Sequence, residues 1–222
     1  MRINREYGQR SETNSIEPKN KYFIACEGKK TEYKYFSGIT KFRNELGINP
    51  LIEIVPIEHE KNTSSNPYYL YEDAKKTLGE YDNYFPDKGD CFCIIVDRDK
   101  HSFTEEQYDA LLQKEEEKEV QLYVSNPCFE FWLLLHFSDC KQYNGDELLE
   151  NRKVTPKRSF AVSLLQKTLN GSYSKQKLGF EKNYKDNVKT AIKNAQLYSV
   201  DVRELKNNLG TNVGVLIESF FK

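Results

Sequence analysis

The chain is predicted to fold as an α/β protein, a parallel sheet flanked by helices, followed by a C-terminal helical lobe. Three observations carry this. Apolar runs that suit buried strands alternate with segments of helical periodicity over residues 21–138. The third run, CFCIIV at 91–96, is continuously apolar, as a strand covered on both faces must be. From about 139 the strand signals stop and only helical patterns follow.

Residues 1–20 are polar and read as a loose arm. A strand is expected at 21–26. A helix at 31–46 follows, with Thr31 as a cap and Tyr35, Ile39, Phe42 and Leu46 at helical spacing. LIEIVPI at 51–57 is the second strand. Asn66 and Pro67 then open a helix whose inner face is Leu70, Ala74 and Leu78. After the third strand, Thr104 and Gln107 form a capping box for a helix. VQLYVS at 120–125 is the fourth strand. PCFEFWLLLHF at 127–137 is a short apolar helix, with Asn126 as its cap and Pro127 in its first turn. Helices are expected near 144–151, 156–170, 184–198 and 212–221. The organisation is an arm at 1–20, a metal-binding α/β domain at 21–138 and a basic helical lobe at 139–222.

Of 222 residues, 38% are hydrophobic and 30% charged, enough for a sizeable core under a soluble surface. The formal net charge is -1, unevenly spread. Residues 1–138 carry 18 Lys and Arg against 25 Asp and Glu; residues 139–222 carry 15 against 9. An acidic front and a basic back suit a metal in one part and a polyanion on the other, or else two solvated surfaces. The five cysteines, at 26, 91, 93, 128 and 140, follow no disulfide-framework spacing, and most fall in apolar runs where Cys acts as a small apolar residue. There is no apolar core near residue 1 and no membrane-length run, so a reduced, cytoplasmic protein with no membrane partner is expected.

In parallel sheets functional groups collect beyond the carboxyl ends of the strands. Glu27 ends the first strand; Asp97 and Asp99 end the third, in IIVDRDKH. The i, i+2 spacing sets both aspartates on one side of an extended chain. Like charges so placed repel in a partly buried site, and a hard divalent cation, Mg²⁺ or Mn²⁺, would relieve that. Taken singly, a D-x-D can cap a turn, and Glu27 can pair with Lys29, Lys30 or Arg98. EGKKT is not a phosphate-binding P-loop: the motif would require glycine at 23, which is Phe23, and Ser or Thr at 30, which is Lys30. Lys29 and Lys30 could still meet a phosphate at the helix start. Glu130 lies among Phe129, Phe131 and Trp132 and needs a partner, a metal or Arg98. His136 reads as a satisfied core residue. His101, two residues after Asp99, is placed to shuttle a proton or hold a phosphate.

Residues 152–193 carry eleven Lys and Arg and two acids, Glu181 and Asp186, with Phe160, Tyr173, Phe180 and Tyr184 interleaved. Lys175, Lys177, Lys182 and Lys185, with stacking aromatics in the 170–184 linker, would suit RNA or another single-stranded nucleic acid.

FIACEGKKTEYKYF, IIVDRDKH and SNPCFEFWLLLHF together resemble the RloB-like (AbiLii) abortive-infection family, which has a Toprim-like domain. The resemblance implies a Mg²⁺-dependent nuclease: Glu27 as general acid/base near the metal, Asp97 and Asp99 as the metal-binding pair, and Glu130 beside them. It further implies an effector of phage defence that cuts RNA, tRNA above all, with DNA as the alternative. A neighbouring OLD- or ABC-type ATPase, RloA, would be its partner. Left open are a non-catalytic regulatory or nucleic-acid-binding subunit, a nucleotidyl-transferring enzyme such as a primase, and a homodimer.

Overall fold

The computed structural model describes residues 20–28, 30–57, 90–100, 103–117, 120–137 and 142–222, together with positions 67, 69, 70, 72 and 76. The chain runs β1 (Asn20–Cys26), α1 (Thr31–Lys41), α2 (Arg43–Leu46), β2 (Ile52–Ile57), β3 (Cys91–Asp97), α3 (Glu105–Glu116), β4 (Gln121–Asn126) and α4 (Phe129–Leu134). Then come α5 (Gly145–Glu150), β5 (Lys153–Thr155), β6 (Arg158–Ser159), α6 (Phe160–Thr168), α7 (Phe180–Asn183), α8 (Val188–Ala195), β7 (Gly210–Thr211) and α9 (Val213–Ser219).

The main sheet has the order β2-β1-β3-β4-β7, with the first four strands parallel and β7 antiparallel. Because β1 sits between β2 and β3, chain connections leave it in opposite directions, and the crevice at such a switch point is where α/β sheets place ligands. Successive strand residues face opposite sides, and the two faces build two cores. Tyr22, Ile24 and Cys26 pack with Tyr35, Phe36 and Ile39 of α1. Phe23, Ala25, Ile94 and Val96 pack with Tyr108 and Leu111 of α3. Thr104 and Gln107 form the expected capping box at the start of α3. The helix expected at 66–78 falls mainly outside the described residues, although positions 67, 69, 70, 72 and 76 are helical.

The C-terminal part joins the first of these cores. Leu165, Phe180, Val188, Ala191, Leu216 and Phe220 share a cluster with β1 and α4. Here the expectation of helices alone is corrected: three short strands lie beyond 139. Gly210 and Thr211 extend the sheet, with Ser125 and Thr211 hydroxyls 2.9 Å apart. The Asn212 side chain continues that edge, accepting from the Val124 N–H (2.6 Å) and donating to the Leu122 carbonyl (2.9 Å). Only glycine fits at 210, since a Cβ there would lie 2.0 Å from the Ser199 carbonyl oxygen. β5 and β6 form a separate hairpin on the surface. Two cap readings also change. α1 is preceded by Lys30, with Thr31 already helical, and α4 begins at Phe129 after Cys128, leaving Asn126 as the last residue of β4.

Candidate metal and nucleic-acid site

β1 and β3 run side by side in register, Cys26 opposite Ile95, so Glu27 emerges next to Asp97 at the carboxyl edge of the sheet. The Glu27 N–H continues the ladder to the Ile95 carbonyl at 2.9 Å. The Asp97 N–H donates to Glu27 Oε2 at 3.1 Å. Asp97 Oδ1 in turn accepts from the Phe129 N–H at 2.7 Å, which ties the start of α4 to β3. Glu130 is the next residue, and that tie delivers it, 3% exposed, into the same neighbourhood. Asp97 and Asp99 both line a cleft of about 930 Å³, whose far wall is Asp146, Glu150 and Lys153.

Glu32, one turn into α1, belongs to this group although the sequence reading passed over it. Its carboxylate closes over Gly28, where a Cβ would meet Glu32 Oε2 at 1.9 Å. Gly28 therefore provides space for a second acid. A first-turn glutamate is common as a helix-dipole partner, and nothing local showed that this one is buried.

The electrostatics follow from burial and crowding. Burial pushes the Glu27 carboxyl up to about 7, against the pull of the Asp97 N–H, and Asp99 pushes it further. Burial and then the charges of Glu32, Glu27 and Glu130 drive Asp97 well above the usual carboxylate range. Burial and the Glu130 charge raise Glu32. One cation answers them. Lys175 Nζ lies 3.0 Å from Glu130 Oε1, and the Tyr173 hydroxyl donates to that same oxygen at 2.9 Å. Burial would lower the Lys175 pKa, but Glu130, Asp97 and Glu32 outweigh it and hold the ammonium charged.

Arg98 is not the partner of Glu27 or Glu130. It turns to the other side of the sheet, donates to the carbonyls of Phe103 (2.5 Å) and Lys206 (3.1 Å), and lies over the Phe103 and Tyr108 rings.

All-oxygen carboxylate donors in excess of nearby positive charge fit a hard divalent cation in chemistry. Among the described residues, however, no three His, Cys, Asp or Glu side chains are grouped so as to hold a metal ion. The buried Asn126 Oδ1, at the end of β4, lacks a hydrogen-bond partner among the described atoms and adds one more oxygen acceptor at that edge. The cysteines are core residues: Cys26, Cys93 and Cys128 are buried, and burial raises their thiol pKa values. Lys29, His101 and Cys140 lie outside the described residues.

His136 is a satisfied core histidine. Its Nδ1 faces the Trp132 carbonyl at 3.2 Å and its Nε2 the Tyr35 hydroxyl at 3.0 Å, and burial lowers its pKa to about 3.

The basic residues divide. Lys30, Lys177 and Lys182 are exposed. Lys185 is 2.5 Å from Glu45 Oε2 and lies over the Phe42 ring, a structural position that leaves its expected nucleic-acid role without support. The interleaved aromatics are corrected more sharply. Tyr173, Phe180 and Tyr184 are buried, with Phe180 5.1 Å from Tyr35 and Tyr184 5.2 Å from His136, so none of the three is a surface stacking platform.

The family model described as RloB-like protein matches residues 22–220, and so takes in the C-terminal part as well as the sheet. Searches of curated proteins and of solved structures return no match. No helix of the described residues is long and apolar enough to cross a membrane.

Proposed function

The chain belongs to the RloB-like family, and from that premise and the acid cluster we propose that it is a divalent-metal-dependent nuclease of the Toprim type. The observation that carries the reading is the hydrogen-bonded pair Glu27 and Asp97, set at the sheet's switch point with Glu32, Asp99 and Glu130 around it.

Asp97 and Asp99, with Glu27, are the residues that would hold Mg²⁺ or Mn²⁺; the bound ion would polarise a phosphodiester and offset developing negative charge. Glu27, with its carboxyl near 7, exchanges a proton at neutral pH and is the general acid/base. Asp97 holds Glu27 through its N–H and the Phe129 N–H through its carboxylate, which sets the spacing between β1, β3 and α4. Lys175 and Tyr173 keep Glu130 oriented. RNA, tRNA in particular, is the preferred substrate, with DNA second. The role is the effector of an anti-phage, abortive-infection system acting with an RloA-like OLD- or ABC-type ATPase, in the cytoplasm.

One observation favours a second reading. The Glu130–Lys175 pair, with no three-ligand cluster among the described residues, also suits a regulatory or nucleic-acid-binding subunit whose acids are structural. One experiment separates the two. Purified protein is incubated with total RNA, plasmid and single-stranded DNA, with Mg²⁺, Mn²⁺ or chelator, beside Glu27→Gln and Asp97→Asn. Metal-dependent cutting lost in both variants supports the nuclease. Neither cutting nor specific metal binding by calorimetry overturns it in favour of the subunit.

A further inference from the structure

A groove of about 890 Å³ runs between Lys30, the β5–β6 hairpin and the 173–176 stretch. Lys30, Lys153, Lys157, Arg158 and Lys175 line it, and no described lining residue is acidic. Elsewhere the basic half of the chain satisfies its cations. Lys185 pairs with Glu45, Arg203 with Glu116, Lys206 with Asp109 and Glu105, and Lys175 with Glu130. Among the described residues Lys30, Lys153, Lys157 and Arg158 have no such ion pair. Four cations around one groove repel each other, and an unpaired set of this kind is stabilised by an anion that spans them.

The hairpin itself has little structural reason to exist. Every residue of β5 is exposed, Val154 at 57%, and a lone two-stranded hairpin is marginal in water. It is anchored only at its base, where the Phe160 N–H donates to the Arg152 carbonyl (2.8 Å) and the Ala161 N–H to Asn151 Oδ1 (2.9 Å). Its position explains it better. Lys153 and Ser159 line this groove and also the acid cleft that contains Asp97 and Asp99, so one hairpin is the shared wall of both.

We propose that the β5–β6 hairpin is a backbone clamp: the groove it borders binds the phosphates of one nucleic-acid strand and leads that strand into the acid cleft. The clamp deepens the nuclease reading and rests on it for what happens in the cleft, but binding is measurable without catalysis. Phosphate contacts carry no sequence information, so the clamp sets register and affinity and leaves base preference to other groups.

The test is fluorescence anisotropy of the full chain with labelled single-stranded RNA and its DNA counterpart, in chelator, from about 50 to 200 mM salt. The variants are Lys157→Gln/Arg158→Gln, both exposed and outside the core, and a control Lys167→Gln/Lys193→Gln on exposed lysines away from the groove. The clamp variant is expected to weaken binding by about tenfold or more at low salt and to reduce the log–log salt slope by about two. The control is expected to stay within about twofold, since it removes the same charge from elsewhere. Equal loss in both doubles overturns the clamp in favour of diffuse charge. Unchanged binding in the clamp variant, or no binding of either strand by the unmodified chain, overturns it outright. The RNA and DNA arms show which strand is held. Binding that depends on the hairpin in a protein that never cuts would keep the clamp and remove the nuclease. Cutting that survives the hairpin variant, with binding unchanged, would do the reverse.

Discussion

The Asp97 N–H donates to Glu27 Oε2 at 3.1 Å, so the last residue of β3 holds the first residue beyond β1. The bond needs an acceptor at Glu27 and does not need a charge. Glu27→Gln supplies the acceptor and removes the titration. The variant is expected to fold, and to match or exceed the unmodified protein in denaturant midpoint at pH 8, because it deletes a carboxylate that burial disfavours. Its nuclease rate is expected to fall by about 10²–10⁴ through loss of general acid/base work. Retained cutting would remove Glu27 from the mechanism.

The raised carboxyls make stability depend on pH with a definite sign. Glu27 titrates near 7 in the folded chain and near 4.5 when unfolded, so the folded state holds more protons between those values and stability falls as pH rises through them. Asp97 and Glu32 act in the same direction. His136 opposes them lower down: lowered to about 3 from 6.5, it makes folding more favourable as pH rises through that range. Above 6.5 His136 is silent and the acids act alone. Metal-free protein is therefore expected to lose thermal stability from pH 6.5 to 8. Mg²⁺ or Mn²⁺ is expected to restore more at pH 8 than at pH 6, where protons already offset the repulsion. Scanning calorimetry in chelator and in excess metal checks both, and a flat profile would contradict the burial of these acids.

Lys175 is the one ammonium paired with the acid group. It is 58% exposed, so the pair is partly screened and its removal costs less than breaking a fully buried one. Glu130 also keeps the Tyr173 hydroxyl. Lys175→Met is expected to cost roughly 1–2 kcal/mol at pH 7.5 and less at pH 5, where the acids carry fewer charges. Urea titration at the two pH values reads the difference. An equal loss at both would point to lost packing by the side-chain stem.

How far the sequence revealed this site depends on how local each signal was. Glu27, Asp97 and Asp99 were legible because a carboxylate after an apolar run stands out against the cost of burying charge. The α3 cap was legible because its whole signal lies between Thr104 and Gln107. Glu32 was not, since its burial depends on Gly28 beside it and on Glu130 across the site. Lys175 and Tyr173 reach Glu130 over more than forty positions, and no periodicity carries that. Tyr173, Phe180 and Tyr184 looked like stacking platforms because aromatic composition is the same for a core and for an RNA surface. The β5–β6 strands, charged and exposed, show no alternation, and β7 is two residues long.

Gly28 gives a test of Glu32 that leaves the acid itself intact. A methyl at 28 would fall within 1.9–2.5 Å of the Glu32 carboxylate, the mobile end of a long side chain, so the carboxylate must shift and the backbone need not. Gly28→Ala is expected to fold with little change in unfolding midpoint and to weaken Mn²⁺ binding in calorimetry. Unaltered metal affinity would place Glu32 outside the metal's reach.

Asp97 carries two separable duties, one geometric and one electrostatic. Its Oδ1 accepts from the Phe129 N–H at 2.7 Å and anchors α4, a bond that a neutral amide oxygen can also make. Its charge, in contrast, is costly where it stands, raised by burial and by Glu32, Glu27 and Glu130. Asp97→Asn should therefore keep the anchor and shed the cost, folding at least as stably as the unmodified chain at pH 8 while losing metal affinity and cutting. Asp97→Leu removes both. The Phe129 N–H then lacks its acceptor in a partly buried position, which costs about 1–3 kcal/mol, and Glu130 loses the tie that positions it. The informative quantity is the difference between the two variants. Equal stability would mean that the bond to Phe129 holds nothing. A stable Asp97→Asn that still binds Mn²⁺ would take Asp97 out of the metal site and leave it as an anchor alone.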